Sequence, residues 1–152
     1  VLTQGGYKLV FQDKPTASER LLASAGRRRG GLNCWYSIGL RLTSDGRIRD
    51  VLWNGPADKA RLAPGEKILA VNGQIFSNDV LRKAIRESRD SAAPIQLILQ
   101  ADNFVHNASI DYHGGERYPA LERVQGTHDY LDEITTPLTK LEKVDEPKKT
   151  DN

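Results

Sequence analysis

The sequence predicts an α+β fold in which antiparallel strands and two helices form a small domain with an extension at each end. Three observations lead to this prediction. Two alternating segments, at 38–43 and 48–53, flank a Ser-Asp-Gly turn, which is typical of a hairpin. The continuous apolar segment KILAV at 67–71 ends in an Asn-Gly pair and predicts a buried strand. Ser77 then begins a segment with apolar residues at helical spacing, which predicts a helix over 78–88.

Weaker patterns predict further elements on both sides of this region. The segment YKLVF at 7–11 alternates like a strand, and capping-box spacing from Thr16 predicts a helix that ends at Gly26. Pro56 and a nearby acid predict a short helix over 56–61. Towards the C-terminus the patterns predict strands at 95–100 and 105–112, a short helix at 128–134 and a charged tail.

Composition excludes several classes of function. The chain has 22 basic and 20 acidic residues, so its charge does not predict a nucleic-acid partner. The three arginines at 27–29 fit a helix C-terminus, where positive charge is favourable. No apolar run approaches the roughly 18 residues of a membrane span, so no membrane partner is expected.

The single cysteine, Cys34, cannot form an internal disulfide, and we expect it to be a small packed residue rather than a nucleophile. The chain begins at Val1 and contains no methionine, so we expect it to be part of a longer protein whose compartment is not readable here. Along the chain we expect an N-terminal extension that packs on the core (1–33), a central domain (34–114), a C-terminal extension with a short helix (115–138) and a charged tail (139–152).

The central motifs resemble those of a PDZ domain. The segment GPADKARLAPGEKILAVNG at 55–73 is similar to the signature of bacterial PDZ domains, and SIGL at 37–40 is similar to their loop-and-strand motif. Two residues depart from the signature, Arg61 where glycine is usual and Glu66 where aspartate is common. The resemblance implies a small twisted antiparallel β-barrel or sandwich of five to six strands with two helices.

The flanking segments resemble a more specific group. GGYKLVF at 5–11 and IDYHGGERYPALERVQG at 110–126 are similar to the C-terminal region of bacterial-type zinc metallopeptidases of the glycyl-aminopeptidase type. This resemblance covers roughly 5–138. It implies a catalytic domain elsewhere in the parent protein, which would be a partner of this chain, and a periplasmic or extracytoplasmic location.

The zinc of such an enzyme would lie in that other domain, on an H-E-x-x-H helix that this chain lacks. The chain has three histidines, His106, His113 and His128, and none has the spacing of that motif. We therefore predict no catalytic residue, no metal ligand and no cofactor within this chain, and enzymatic activity of the parent protein stays open.

The PDZ resemblance implies a peptide or protein C-terminus as ligand, bound by β-augmentation. In that mechanism an extended peptide pairs with a strand edge while successive backbone N–H groups hold its terminal carboxylate. Here Ile38, Gly39 and Leu40 would donate the N–H groups, residues 40–43 would offer the edge, and the helix from Ser77 would form the opposite wall. The expected binding residues are Ser37, Ile38, Gly39, Leu40, Arg41, Leu42, Asn78, Arg82 and Ile85.

Two alternatives belong to other classes of function. Gly39 could be a close-packing glycine in a domain that only braces the catalytic unit and has no ligand. A hydrolase using Asp111 and His113 is the other alternative, but no serine or cysteine nucleophile is suggested nearby. For this pair we favour a structural hydrogen bond.

Overall fold

The computed structural model describes residues 6–17, 20–21, 31–128 and 134. Within this part the strands are β1 (Tyr7–Gln12), β2 (Leu32–Cys34), β3 (Leu40–Leu42), β4 (Ile48–Val51), β5 (Lys67–Val71), β6 (Gln74–Ile75), β7 (Ile95–Ala101), β8 (Phe104–Ile110) and β9 (Tyr118–Arg123). The helices are α1 (Pro56–Lys59) and α2 (Asn78–Glu87). None of the helices in the described part of the chain is long and apolar enough to cross a membrane.

The strands form three sheets. Their orders are β1-β9, β2-β3-β4 and β6-β5-β7-β8, and the pairings within the two larger sheets are antiparallel. The predicted combination of antiparallel sheets and two helices is therefore confirmed. Among the described residues no sheet closes into a barrel, so the barrel form of the expected architecture is not found.

The chain divides into two compact units. One comprises Val1–Leu9 with Leu121–Asn152, and the other comprises Val10–Ala120. In the first unit Val124 N–H donates to the Gly6 carbonyl at 2.9 Å, and Lys8 pairs with Glu122 at 3.0 Å. The second unit contains both larger sheets and both helices. The boundaries expected after residues 33, 114 and 138 stay predictions.

One hydrophobic core lies in the second unit. Buried side chains come from both larger sheets and from helix α2, and together they form one cluster. Burial of each large apolar side chain favours folding by about 1.5–3 kcal/mol, so this cluster is the main stabilising feature of the unit. Its largest fully buried members are Ile38, Leu40, Ile48, Ile68, Leu81, Ile85, Ile95, Leu97, Leu99, Ile110 and Val71.

Helix α2 begins and packs as its sequence predicts. The Ser77 Oγ accepts a hydrogen bond from Val80 N–H at 3.2 Å, which satisfies one of the free donors of the first turn. Leu81, Ala84 and Ile85 are buried because their spacing places them on one helix face. This buried face packs α2 against the core. The polar residues of α2 lie on its other faces.

Two predicted strands are shorter in the structure than in the prediction. We predicted a strand over 38–43, but β3 begins only at Leu40 because Ile38 and Gly39 lie in a turn. The strand predicted over 48–53 ends at Val51. The strand predicted at 67–71 has the observed bounds of β5.

Several predictions fall partly or wholly outside the described residues. Of the N-terminal helix, Ala17, Arg20 and Leu21 are helical, and Arg20 N–H donates to the Thr16 carbonyl at 3.0 Å. The rest of that helix, the arginines at 27–29, most of the helix predicted at 128–134 and the tail lie outside the described residues.

We predict that replacing Leu99 by alanine lowers the free energy of unfolding by about 2–5 kcal/mol, because its fully buried side chain would leave a cavity. The neighbouring residue Ile98 is 38% exposed on the opposite face of β7 and serves as the control, with an expected loss below about 1 kcal/mol for Ile98→Ala. Urea unfolding of both variants is the measurement. Equal losses would contradict the assignment of the two faces.

Candidate functional site

Three successive backbone N–H groups converge on one oxygen at residues 37–39, which we call the amide loop. The N–H groups of Ser37, Ile38 and Gly39 point at the carbonyl oxygen of Cys34, at N···O distances of 3.2, 3.1 and 3.1 Å. Such a convergence of N–H groups forms a site for a negatively polarised oxygen. The sequence predicted N–H donors at Ile38, Gly39 and Leu40 for a terminal carboxylate; in the amide loop Ser37 joins Ile38 and Gly39 instead of Leu40, and the chain's own Cys34 carbonyl is the acceptor.

Backbone contacts to the following segment fix the amide loop. The Ile38 carbonyl accepts a hydrogen bond from Ala57 N–H at 3.0 Å, and the Gly39 carbonyl accepts one from Leu52 N–H at 2.8 Å. Gly39 has a φ of +79°, and a Cβ at this position would lie 3.1 Å from the Leu52 Cβ. Glycine is therefore required both by the backbone conformation and by the close approach of Leu52.

The strand edge expected to receive a peptide is paired with the chain itself. On one side β3 pairs with β4, and on the other side β2 runs antiparallel to it in the register Leu32↔Leu42, Asn33↔Arg41, Cys34↔Leu40. Both sides of β3 are thus paired in this structure, and the expectation that residues 40–43 receive a peptide stays a prediction. The sequence analysis missed β2 because a three-residue strand has no periodic signal of its own.

The side chains of β2 alternate as those of a bound strand would. Leu32 and Cys34 are buried, with 3% and 7% exposure, whereas Asn33 is exposed. Burial raises the pKa of the Cys34 thiol to about 12; the charge of Arg82 lowers this pKa and that of Glu116 raises it, each by a smaller amount. The prediction that Cys34 is a packed residue is confirmed. β2 thus lies along β3 with its apolar side chains in the core.

The apolar residues predicted for the peptide site belong to the core. Ile38, Leu40 and Ile85 have no exposed surface, and Leu42 has 2%. We expected Ile85 to face a ligand, but it shares the buried face of α2 with Leu81, because residues four apart on a helix lie on the same side. The expectation that Ile38 and Leu40 contribute to a peptide site stays a prediction.

The polar residues predicted for the site have identifiable partners in most cases. The Ser37 Oγ accepts a hydrogen bond from Arg117 N–H at 3.0 Å. The Arg41 guanidinium lies over the Trp35 ring at 4.5 Å from its centroid. Asn78 begins helix α2, and within the described part of the chain its buried Oδ1 has no hydrogen-bond partner. An unpaired buried oxygen of this kind is costly and would gain from a donor.

Arg82 lies in a charged cluster that the sequence analysis did not predict. Its Nη1 donates to the Glu116 Oε1 at 3.2 Å and to the Tyr118 hydroxyl at 3.1 Å. The Arg86 Nη1 donates to the other Glu116 carboxylate oxygen at 3.3 Å. Spacing of four residues placed both arginines on one helix face and was visible in the sequence, but the partner lies 30 or more residues away and no local pattern indicates it.

Asp111 and His113 form the structural hydrogen bond that we favoured. The His113 Nε2 lies 2.8 Å from the Asp111 Oδ1, and its Nδ1 lies 2.7 Å from the Ser91 carbonyl oxygen. Both ring nitrogens thus face acceptors, which favours the doubly protonated imidazolium. The pKa of His113 is raised, first by its hydrogen bond to Asp111 and then by that to Ser91.

No metal centre can be assembled from the described residues. His106 approaches Glu66 at 3.6 Å, and His113 is engaged as described above. Among the residues that the structure describes, no group of three or more His, Cys, Asp and Glu side chains has the proximity that a metal ion requires. These side chains do not fit the zinc of the resembled peptidases, whose ligands were expected in another domain.

A solved PDZ-domain structure is among the known proteins similar to this chain. No protein-family model and no curated protein matches the chain. The solved structure of an HtrA3 PDZ domain bound to a phage-derived ligand (FGRWV) is similar to it at a TM-score of 0.38 and 17% identity, with 76% of this chain and 92% of that chain covered. At these values the similarity establishes neither a shared fold nor a shared function.

We predict that Gly39→Ala lowers the free energy of unfolding more than Gly73→Ala does. Both glycines have similar positive φ values, +79° and +78°, so each alanine has a backbone penalty of about 1–2 kcal/mol. Only the Cβ at position 39 meets a neighbour, whereas position 73 is open. We therefore expect an additional loss at position 39, measured by urea unfolding. A smaller loss there than at position 73 would show that Leu52 does not constrain the amide loop.

We also predict a pH-dependent contribution of His113 to stability. Because its pKa is raised in the folded state, its hydrogen bonds stabilise the fold fully below the unfolded value of about 6.5 and lose this effect as the pH rises through the folded value. The difference in urea midpoint between the natural chain and His113→Asn should be larger at acidic than at alkaline pH. In Asp111→Asn, which removes the largest cause of the raised His113 pKa, the stability contribution of His113 should depend less on pH. A difference that grows towards alkaline pH would contradict the assignment.

Proposed function

We propose that this chain is a PDZ-like peptide-binding module that accepts an extended peptide C-terminus beside β3. The convergence of the Ser37, Ile38 and Gly39 N–H groups on one oxygen carries the proposal. A peptide carboxylate has the same acceptor geometry as the Cys34 carbonyl and adds a full negative charge. Hydrogen bonds to a charged acceptor contribute about 1.5–3 kcal/mol each, so a carboxylate would be the stronger occupant.

The pairing of β2 with β3 supports the proposal that a peptide strand pairs with β3. An antiparallel strand of this chain lies where a peptide would be added, with alternate side chains buried and the last carbonyl held by the amide loop. In this arrangement Leu32 and Cys34 act as an internal ligand. A free peptide must therefore displace β2, and its apparent affinity falls in proportion to the fraction of molecules in which the groove is open.

The same pairing favours a second candidate function. If β2 never leaves β3, the domain has no available groove and only braces a larger protein. The buried contacts of Leu32 and Cys34 favour this structural role, since both side chains belong to the common core cluster. The two candidates differ in one measurable property, which is whether the groove opens to a peptide.

The resemblance of the flanking segments supports a further proposal about the parent protein. We propose that it is a bacterial-type zinc aminopeptidase of the glycyl-aminopeptidase type, in which this module positions peptide substrates or packs on the catalytic domain. Zinc would supply its chemistry in that domain, and no residue of the present chain takes part in it. In such a protein the module would act outside the cytoplasm.

The experiment compares a peptide that carries a free carboxylate with its C-terminal amide. The probe is a fluorescent Gly-Gly-Leu-Asn-Ala peptide, which reproduces the β2 sequence with alanine in place of cysteine. We expect the variant Asn33→Pro to bind the acid, because the proline ring fixes φ at about −65°, away from the roughly −140° of an antiparallel strand, and so weakens β2 pairing. With micromolar affinity the binding free energy would be about −8 kcal/mol, and the amide should bind at least about tenfold more weakly.

The unaltered chain is the matched control and should bind the acid more weakly than Asn33→Pro does. Circular dichroism verifies that the variant retains its fold. Equal affinity for acid and amide would remove the carboxylate site from consideration. If a folded variant binds neither peptide, the bracing function is the one supported.

A further inference from the structure

Residues 115–118, which we call the closing segment, connect helix α2 to the amide loop. The Glu116 carboxylate bridges Arg82 and Arg86 through its two oxygens and is only 13% exposed. One residue later, Arg117 N–H donates to the Ser37 Oγ at 3.0 Å. The closing segment thus contacts both walls of the site beside which β2 lies.

The closing segment is itself held in place at both ends. The Gly115 carbonyl accepts a hydrogen bond from the buried Tyr112 hydroxyl at 2.8 Å, and the Tyr118 hydroxyl accepts one from Arg82. Arg117 places its guanidinium over the Phe11 ring at 4.4 Å from the centroid. The position of Glu116 is therefore determined by several neighbouring contacts and not by its ion pairs alone.

Strand β2 is held beside β3 by its pairing and by the buried side chains of Leu32 and Cys34. It comprises three residues and, among the strands that the structure describes, pairs only with β3. A strand this short is marginal without further packing. Its buried end, Cys34, is held by the amide loop, and the residue after Glu116 donates its N–H to Ser37 of that loop, so the charged cluster is joined to the point where β2 meets the amide loop.

We infer that the closing segment is a device that keeps β2 in the groove, and that release of Glu116 from Arg82 and Arg86 opens the groove without unfolding the domain. The inference rests on the proposed function, because it concerns the regulation of the same site. In this inference the resting state is the one in which β2 occupies the groove. A partner that draws Glu116 away from the two arginines would then activate peptide binding.

The test uses the only cysteine of the chain as a probe of β2 opening. Buried Cys34 should react with iodoacetamide only when β2 leaves the groove, and mass spectrometry of the full 152-residue chain gives the rate. In Glu116→Gln we expect alkylation to be at least about tenfold faster, because the loss of a charge-assisted hydrogen bond shifts a local opening equilibrium by about that factor. Arg86→Gln should give a smaller increase, since Arg82 still holds Glu116.

Glu87→Gln is the matched control, because Glu87 pairs with Lys83 at 3.8 Å on the exposed side of the same helix. Its alkylation rate should equal that of the unaltered chain. Rates measured at low urea concentrations separate local opening, which depends weakly on urea, from global unfolding. Unchanged rates in both Glu116→Gln and Arg86→Gln, or a rate increase with the full urea dependence of unfolding, would overturn the inference.

Failure of the inference is distinguishable from failure of the proposed function. Alkylation of Cys34 is measured without peptide and reports only the position of β2. Faster alkylation together with no peptide binding by Asn33→Pro would support the closing segment and reject the peptide site. Peptide binding by Asn33→Pro with unchanged alkylation in the Glu116 and Arg86 variants would support the peptide site and reject the role of the closing segment.

Discussion

The Cys34 carbonyl is the acceptor on which the arrangement of the site depends. Because Ser37, Ile38 and Gly39 all direct their N–H groups to it, the chain reverses within a few residues and β2 returns along β3. A buried backbone donor without a partner is costly, so three donors that share one internal acceptor fix the turn strongly. Any external ligand of the amide loop must offer an acceptor at least as good as this carbonyl.

Helix α2 links this backbone site to the charged residues around it. One face buries Leu81, Ala84 and Ile85 in the core, and this burial sets the direction in which Arg82 and Arg86 project. Glu116 then pairs with both arginines from a largely buried position, where charge pairs are screened less than at the surface. The same helix therefore supplies both a buried face for the core and the two arginines that bind Glu116.

Local signals predicted most of the central elements, and long-range pairing accounts for the rest. The bounds of β5 and the cap of α2 followed from apolar runs and from Ser77, since these signals lie within the element itself. By contrast, β2 is too short to show a period, and β9 contains a proline that argues against a strand. Glu116 could not be assigned to the site, because its partners lie on a helix distant in sequence.

The short connection between β2 and β3 determines how a ligand would have to compete. A segment tethered to its own binding site has an effective concentration in the millimolar range for short linkers. A freely diffusing peptide with micromolar affinity and low abundance would rarely replace such a tethered segment. The site would instead respond to a chain end that is itself held nearby, so selectivity would come from local concentration more than from side-chain recognition.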